Sequence, residues 1–148
     1  MSRYAWASPN SLIGLLFFPS VVFTNGGFQI VDGVLELHGS FISWVLRHCV
    51  PMSGGAVAMT FGHVVLGRDQ QALSLTRIHE RVHVRQYELW GPGFIPAYLL
   101  ASIWGLIIRT GVYHGNFFER EAIQSEQAGR RRVLDAPSWP PPKPGDTV

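Results

Sequence analysis

The chain has 148 residues, 47% of them hydrophobic and 12% aromatic, which suits one domain with a sizeable core and excludes a disordered protein. Net charge is +2, with eleven arginines and one lysine spread along the chain and no basic face interleaved with aromatics, so nucleic acid is not an expected partner. The lone Cys49 excludes a disulfide framework and a cysteine-rich metal site.

Residues 12–23 form an apolar run broken by Pro19, with Arg3 ahead of it. No small-residue cleavage pattern follows, so no cleavable signal peptide is expected, and the run falls short of the roughly 20 residues a bilayer span requires. A buried or membrane-interfacial segment within residues 10–24 is the reading, which leaves location open between cytoplasm and membrane surface. Residues 28–38, FQIVDGVLELH, alternate on either side of Asp32-Gly33, a dipeptide that supplies the positive φ of a tight hairpin turn. The alternation predicts Leu35 and Leu37 inward and Glu36 and His38 toward solvent. Residues 41–50 read as a short helix ending before Pro51, with His48 structural. Residues 57–66 alternate as one strand, with Val57, Met59, Phe61, His63 and Val65 on one side. His63 is a candidate substrate contact there, against an ordinary half-buried strand histidine. Gly67, Arg68 and Asp69 then make a turn, and Asp69 is placed to cap the helix that follows.

That helix carries RIHERVHVRQYELW at residues 77–90. His79, Glu80 and His83 stand in the order H-E-x-x-H, which puts two imidazoles one helical turn apart on one face with a carboxylate beside them. Two neutral histidines so spaced hold a zinc ion while the glutamate reaches toward an open coordination position. Leu75, Ile78, His79, Val82, His83, Gln86, Leu89 and Trp90 recur at steps of three and four as one inward stripe, with Arg77, Arg81, Arg85 and Glu88 opposite. A bare imidazole in a core is costly without a partner. Hydrogen bonds to backbone are the alternative to a metal, and the paired spacing with Glu80 alongside favours the metal. Gln86, seven residues after His79, either orients a ligand or anchors the helix.

The helix is expected to stop at Gly91-Pro92-Gly93. Residues 94–108 are apolar on every side, with Pro96 in the first turn, so this helix is either deeply buried or in contact with lipid. Together with residues 12–23 it makes a candidate membrane contact. Residues 116–134 form a further helix capped by Asn116, and Arg130 to Arg132 read as its solvated end, with a membrane-surface contact as the alternative. Residues 135–148, DAPSWPPPKPGDTV, hold five prolines and read as an extended, flexible tail, with a protein that binds proline-rich peptides as the alternative partner. Residues 1–134 thus make a single domain followed by that tail.

A catalytic zinc usually takes three protein ligands, so His79 and His83 need one more. Glu119 and Glu121, two residues apart on a helix, point to opposite sides and cannot both serve. Glu119 shares a stripe with Ala122, Ile123 and Glu126, which reads as the inward face, and Glu121 looks wetter. Asn116-x-x-Glu119 is also a capping-box arrangement, which is the alternative role for Glu119.

HERVHVRQYELW, as HExxHxxQ, followed by NFFEREA resembles the small gluzincins over about residues 62–126. These are zinc peptidase domains in which HExxH supplies two ligands and a glutamate on a second helix the third. The resemblance implies that His79 and His83 bind zinc, that Glu80 is the general base and that Glu119, first in E-x-x-A, is the third ligand. Many gluzincins carry an aspartate where this chain has Ile123, a residue that supports a ligand histidine. Tyr113 and His114, close in sequence to Glu119, are the candidates for oxyanion stabilisation.

The expected fold is α+β, a small zincin-like domain in which a short β-sheet or hairpin packs on the HExxH helix, an apolar helix and a glutamate-bearing helix. The expected activity is zinc-dependent hydrolysis of a peptide or protein substrate. A non-catalytic zinc-containing module, or a membrane-associated binding or structural module, is the alternative.

Overall fold

The structure is a computed structural model describing residues 3–134, so the proline-rich tail expected at 135–148 lies outside the described residues. Asp32 and Gly33 both take positive φ, 50° and 77°, and this turn folds β1 (Gly27–Val31) back onto β2 (Val34–His38) as the Asp-Gly pair predicts. Ahead of the hairpin lie α1 (Arg3–Leu15) and α2 (Phe18–Phe23). After it come α3 (Ser40–His48), β3 (Ala58–Phe61), β4 (Val64–Gly67), α4 (Gln70–Trp90), a 3-10 turn at Gly91–Gly93, α5 (Phe94–Ile107) and α6 (Phe117–Leu134). The four strands form one mixed sheet in the order β1-β2-β4-β3, parallel between β2 and β4 and antiparallel elsewhere. The architecture is α+β.

The stretch expected as one strand is a hairpin. Gly62, at φ 61°, turns the chain, and His63 sits in the turn instead of on a strand. Phe61 pairs with Val64, so Met59 and Phe61 share their face with Val64 and Leu66, and Val65 lies on the other. Val64, Val65 and Leu66 are all apolar, so the sequence fits either phase and the reversal leaves no mark on the alternation.

Both sheet faces are covered. Leu37, Val64 and Leu66 pack against Val21 of α2 and against Ile42 and Leu46 of α3. Val34 and Val65 pack against Leu73 and Val84 of α4. Each such side chain contributes about 1.5–3 kcal/mol on leaving water. Glu36 is therefore buried, at 2% exposure, and not turned to solvent as the alternation predicts. Arg77 reaches it with Nε and Nη2 at 2.9 and 3.0 Å, and Arg81 stands 3.6 Å away.

Asp69 accepts from Ala72 N at 2.7 Å and caps α4 as expected, and the helix ends at Gly91 with φ 54°. Its burial departs from the single inward stripe: Leu75 and Leu89 are 63% and 70% exposed, while Leu73, Glu80, Val84 and Tyr87 are buried. The cause is that α4 is central. The sheet takes Leu73 and Val84, and Ala7, Phe94 and Phe118 from three other helices take Tyr87. A helix covered on several sides has no single inward stripe, and Arg77 and Arg81 turn to Glu36 in place of water.

Asn116 caps α6, its Oδ1 accepting from Phe118 N at 2.9 Å. Its Nδ2 donates to Ser102 Oγ at 2.7 Å and to Tyr98 O at 3.1 Å, which ties the start of α6 to α5. Only Phe94 and Gly105 of α5 are fully buried, so deep burial does not explain its apolar composition.

Candidate metal centre

His79 and His83 lie one turn apart on the side of α4 that meets α6, and Glu119 stands in the first turn of α6 directly after the Asn116 cap. All three are buried. His79 Nε2 is 3.2 Å from His83 Nε2. Glu119 Oε2 is 3.3 Å from His79 Nε2, and Glu119 Oε1 is 3.4 Å from His83 Nε2. Bonds of about 2.0–2.1 Å to a tetrahedral ion put neighbouring ligand atoms roughly 3.3–3.4 Å apart, so these separations fit zinc. Glu119 Oε2, although buried, has no hydrogen-bond partner among the described residues. A buried carboxylate oxygen left so is costly, and a cation held among these three side chains satisfies it.

The outer nitrogens set the imidazole tautomers. Gln86 Nε2 donates to Glu121 Oε2 at 2.8 Å and to Phe118 O at 3.2 Å, so its Oε1 is the atom that meets His83 Nδ1 at 2.9 Å. An amide oxygen only accepts, so Nδ1 of His83 carries the proton and its neutral ring presents a bare Nε2 to Glu119. His79 Nδ1 faces Glu126 Oε2 at 3.6 Å, which favours the same tautomer. Two lone pairs and a carboxylate then converge, and they repel unless positive charge stands among them. Burial raises the Glu119 carboxyl, but the neighbouring His79 and His83 imidazoles outweigh it and hold the group well below the usual carboxylate range. Burial draws His83 down, yet Glu119 and Glu80 beside it leave it raised. Both shifts favour positive charge at the same point, which a proton or a metal ion supplies.

Glu80, on the same helix, points toward β3, where Thr60 Oγ1 donates to its Oε2 at 2.7 Å. Burial pushes its carboxyl above the ordinary range, against the pull of His83 and Thr60. Tyr98 of α5 donates to Glu119 Oε1 at 2.6 Å. The Tyr113 ring stacks on His79 with centroids 6.5 Å apart, and burial followed by the Glu119 charge keeps its hydroxyl protonated.

Of the residues singled out in the sequence, the fold thus brings together His79, Glu80, His83, Gln86, Tyr113 and Glu119. Glu119 turns to the imidazoles and not back to the cap, where Asn116 N instead donates to Tyr113 O at 3.1 Å. His114 is exposed with its ring against Tyr113, one step removed from the triad. His63 lies in the β3–β4 turn with Nε2 3.1 Å from Glu88 Oε1 and does not join the site. Three contributors were missed. Thr60 and Tyr98 carry no motif. Glu126, read in the sequence only as part of the Glu119 stripe, stands 3.6 Å from His79 Nδ1, where an acidic residue supports a ligand histidine in the resembled family and this chain has Ile123 at the usual position.

No protein-family model matches the chain, and neither curated proteins nor solved structures yield a match.

Proposed function

We propose that the chain is a zinc-dependent hydrolase, a metallopeptidase of the gluzincin kind on a minimal zincin-like fold. The observation that carries this reading is the convergence of His79, His83 and Glu119, whose ligand atoms lie within 4.8 Å of one another, with Glu119 Oε2 buried and without a hydrogen bond. Zinc bound there supplies a Lewis acid that polarises a carbonyl and makes water acidic near neutral pH. Glu80 accepts the proton of the attacking water at Oε1, because Thr60 occupies Oε2 and fixes the carboxylate plane. Tyr113, stacked on His79 and protonated, is the donor placed to meet negative charge developing on the substrate oxygen. β3 is an edge strand, and Thr60 ties it to Glu80, so an extended peptide adding to that edge passes beside the base.

A zinc-holding module without turnover is the second reading. One observation favours it: neither of two cavities among the described residues, of about 170 and 470 Å³, is lined by His79, His83 or Glu119. Glu80→Gln separates the two. Under the hydrolase reading the wild type carries stoichiometric zinc and cleaves peptides, and the variant keeps the zinc while cleavage falls roughly 10²–10⁴-fold. Zinc without cleavage by the wild type in a broad peptide screen selects the second reading, and a protein that takes up no zinc sinks both.

A further inference from the structure

The described residues leave a wide apolar surface of α5 uncovered. Residues 94–108 contain no charged side chain, and Leu99, Leu100, Ile103, Trp104, Leu106 and Ile107 all stand outside. At about 100° per residue these six sweep an arc of roughly 160°, and Ile108, also exposed, extends it to about 200°. A protein partner laid along one helix covers a single stripe, whereas hydrocarbon wets every side it reaches. Leu100 at 68% and Ile107 at 65% exposure would otherwise face water in full.

The ends of the helix add charge to this picture. Arg109 follows the last apolar residue. The cavity of about 170 Å³ at that end is lined by Trp104, Ile108 and Phe117 together with Thr110, His114 and Arg120. Apolar side chains beside the Arg120 cation and the His114 imidazole match a phospholipid, which presents an acyl chain and a phosphate together. Two helical stretches, Trp6–Phe23 and Gln70–Ile107, are long and apolar enough to cross a bilayer by length and composition. Each is interrupted, the first between α1 and α2 and the second at Gly91–Gly93. A helix of 14 residues extends about 21 Å, against about 30 Å of hydrocarbon.

We propose that α5 docks the protein onto a phospholipid bilayer, its outer half immersed in one leaflet and its C-terminal collar of Arg109, His114 and Arg120 at the phosphate level. The buried side of the same helix sends Tyr98 to Glu119, so the metal centre lies about one helix diameter from the lipid. The docking does not depend on catalysis.

Flotation of the full chain with vesicles tests this, comparing pure phosphatidylcholine with phosphatidylcholine containing phosphatidylserine. The wild type is expected to float with both and more completely with the anionic vesicles. Leu100→Glu/Ile107→Glu is expected to stay in the dense fraction while still loading zinc as the wild type does, which shows that the fold survives. Arg120→Gln is expected to float with both vesicles and lose at least half of the preference for phosphatidylserine. Glu80→Gln floats like the wild type, so failure of hydrolysis and failure of docking are read separately. Flotation unchanged by the double glutamate variant overturns the proposal. So does a wild type that stays in the dense fraction and self-associates without lipid through the same residues, which assigns the face to a second copy.

Discussion

Helix α4 meets a buried carboxylate on each of two sides, and the two meetings are built differently. Toward the sheet, Glu36 faces Arg77 in a two-pronged bond with Arg81 behind it, so the protein supplies the compensating cations. Toward α6, Glu119 faces His79 and His83; Gln86 holds the outer nitrogen of His83 and Glu126 approaches that of His79 at 3.6 Å, an arrangement that favours inner nitrogens without protons. The first arrangement needs no outside ion and acts as a lock between helix and sheet. The second has no arginine or lysine beside it, only the Tyr98 hydroxyl donating to Glu119 Oε1, and under the proposed function a metal ion completes it. The contrast separates a structural ion pair from the site proposed to hold a metal: what matters is who brings the positive charge, not how buried the carboxylate is.

The sharpest way to break the lock is Arg77→Ala. It strands a buried carboxylate and is expected to cost about 3 kcal/mol by urea denaturation, the low end for such a loss because Arg81 stays near. Burial alone raises the Glu36 carboxyl, and the bonds from Arg77 and Gln29 with the Arg77 charge more than reverse this, leaving it lowered. A depressed carboxyl contributes stability that is complete above its unfolded pKa and disappears as pH falls through the folded one. The wild type therefore loses the pair below about pH 4, and Arg77→Ala shows a shallower acid loss. Zinc uptake at neutral pH is expected to be unchanged, and a variant that also lost zinc would show that the two sides of α4 act as one unit.

The complementary measurement leaves the lock alone and completes the other side. Zinc at about 100 times its dissociation constant is expected to stabilise the wild type by about 2.7 kcal/mol over the chelated protein. Arg77→Ala should gain the same amount, and His83→Ala almost none. Equal stability with and without zinc in the wild type would mean that a proton, not a metal, sits between the imidazoles.

His79, Glu80, His83 and Glu119 were legible in the sequence because a helix repeats every 3.6 residues and spacing alone determines which side chains share a face. The Asp32-Gly33 turn and the Asp69 and Asn116 caps were legible for a similar reason, since each is a local backbone requirement met by one residue type. The lock was not. Glu36 reads as a solvent-facing strand residue unless it is known that α4 covers that face, and this depends on the pairing of β2 with β4 across a long connection. The turn at Gly62 was hidden because the strand after it is apolar at every position. Tyr98 and Thr60 reach the site only through tertiary packing of α5 and β3.

Smaller changes at the outer nitrogens sharpen the account of the metal side. Gln86→Leu removes the acceptor from His83 Nδ1 and the links to Glu121 and Phe118, and is expected to weaken zinc binding toward the upper part of a 10–100-fold range in a competitive chelator titration. Glu126→Ala is expected to cost about tenfold, the lower part of that range, because its carboxylate is 3.6 Å from His79 Nδ1 and partly open to water. Glu126→Gln, which keeps an acceptor, is expected to lose less than Glu126→Ala. This order follows from geometry: the shorter, better buried contact holds its tautomer more firmly. If Glu126→Ala binds zinc as well as the wild type, His79 is oriented by the Tyr113 ring stacked on it, and Tyr113→Leu should then show the loss instead.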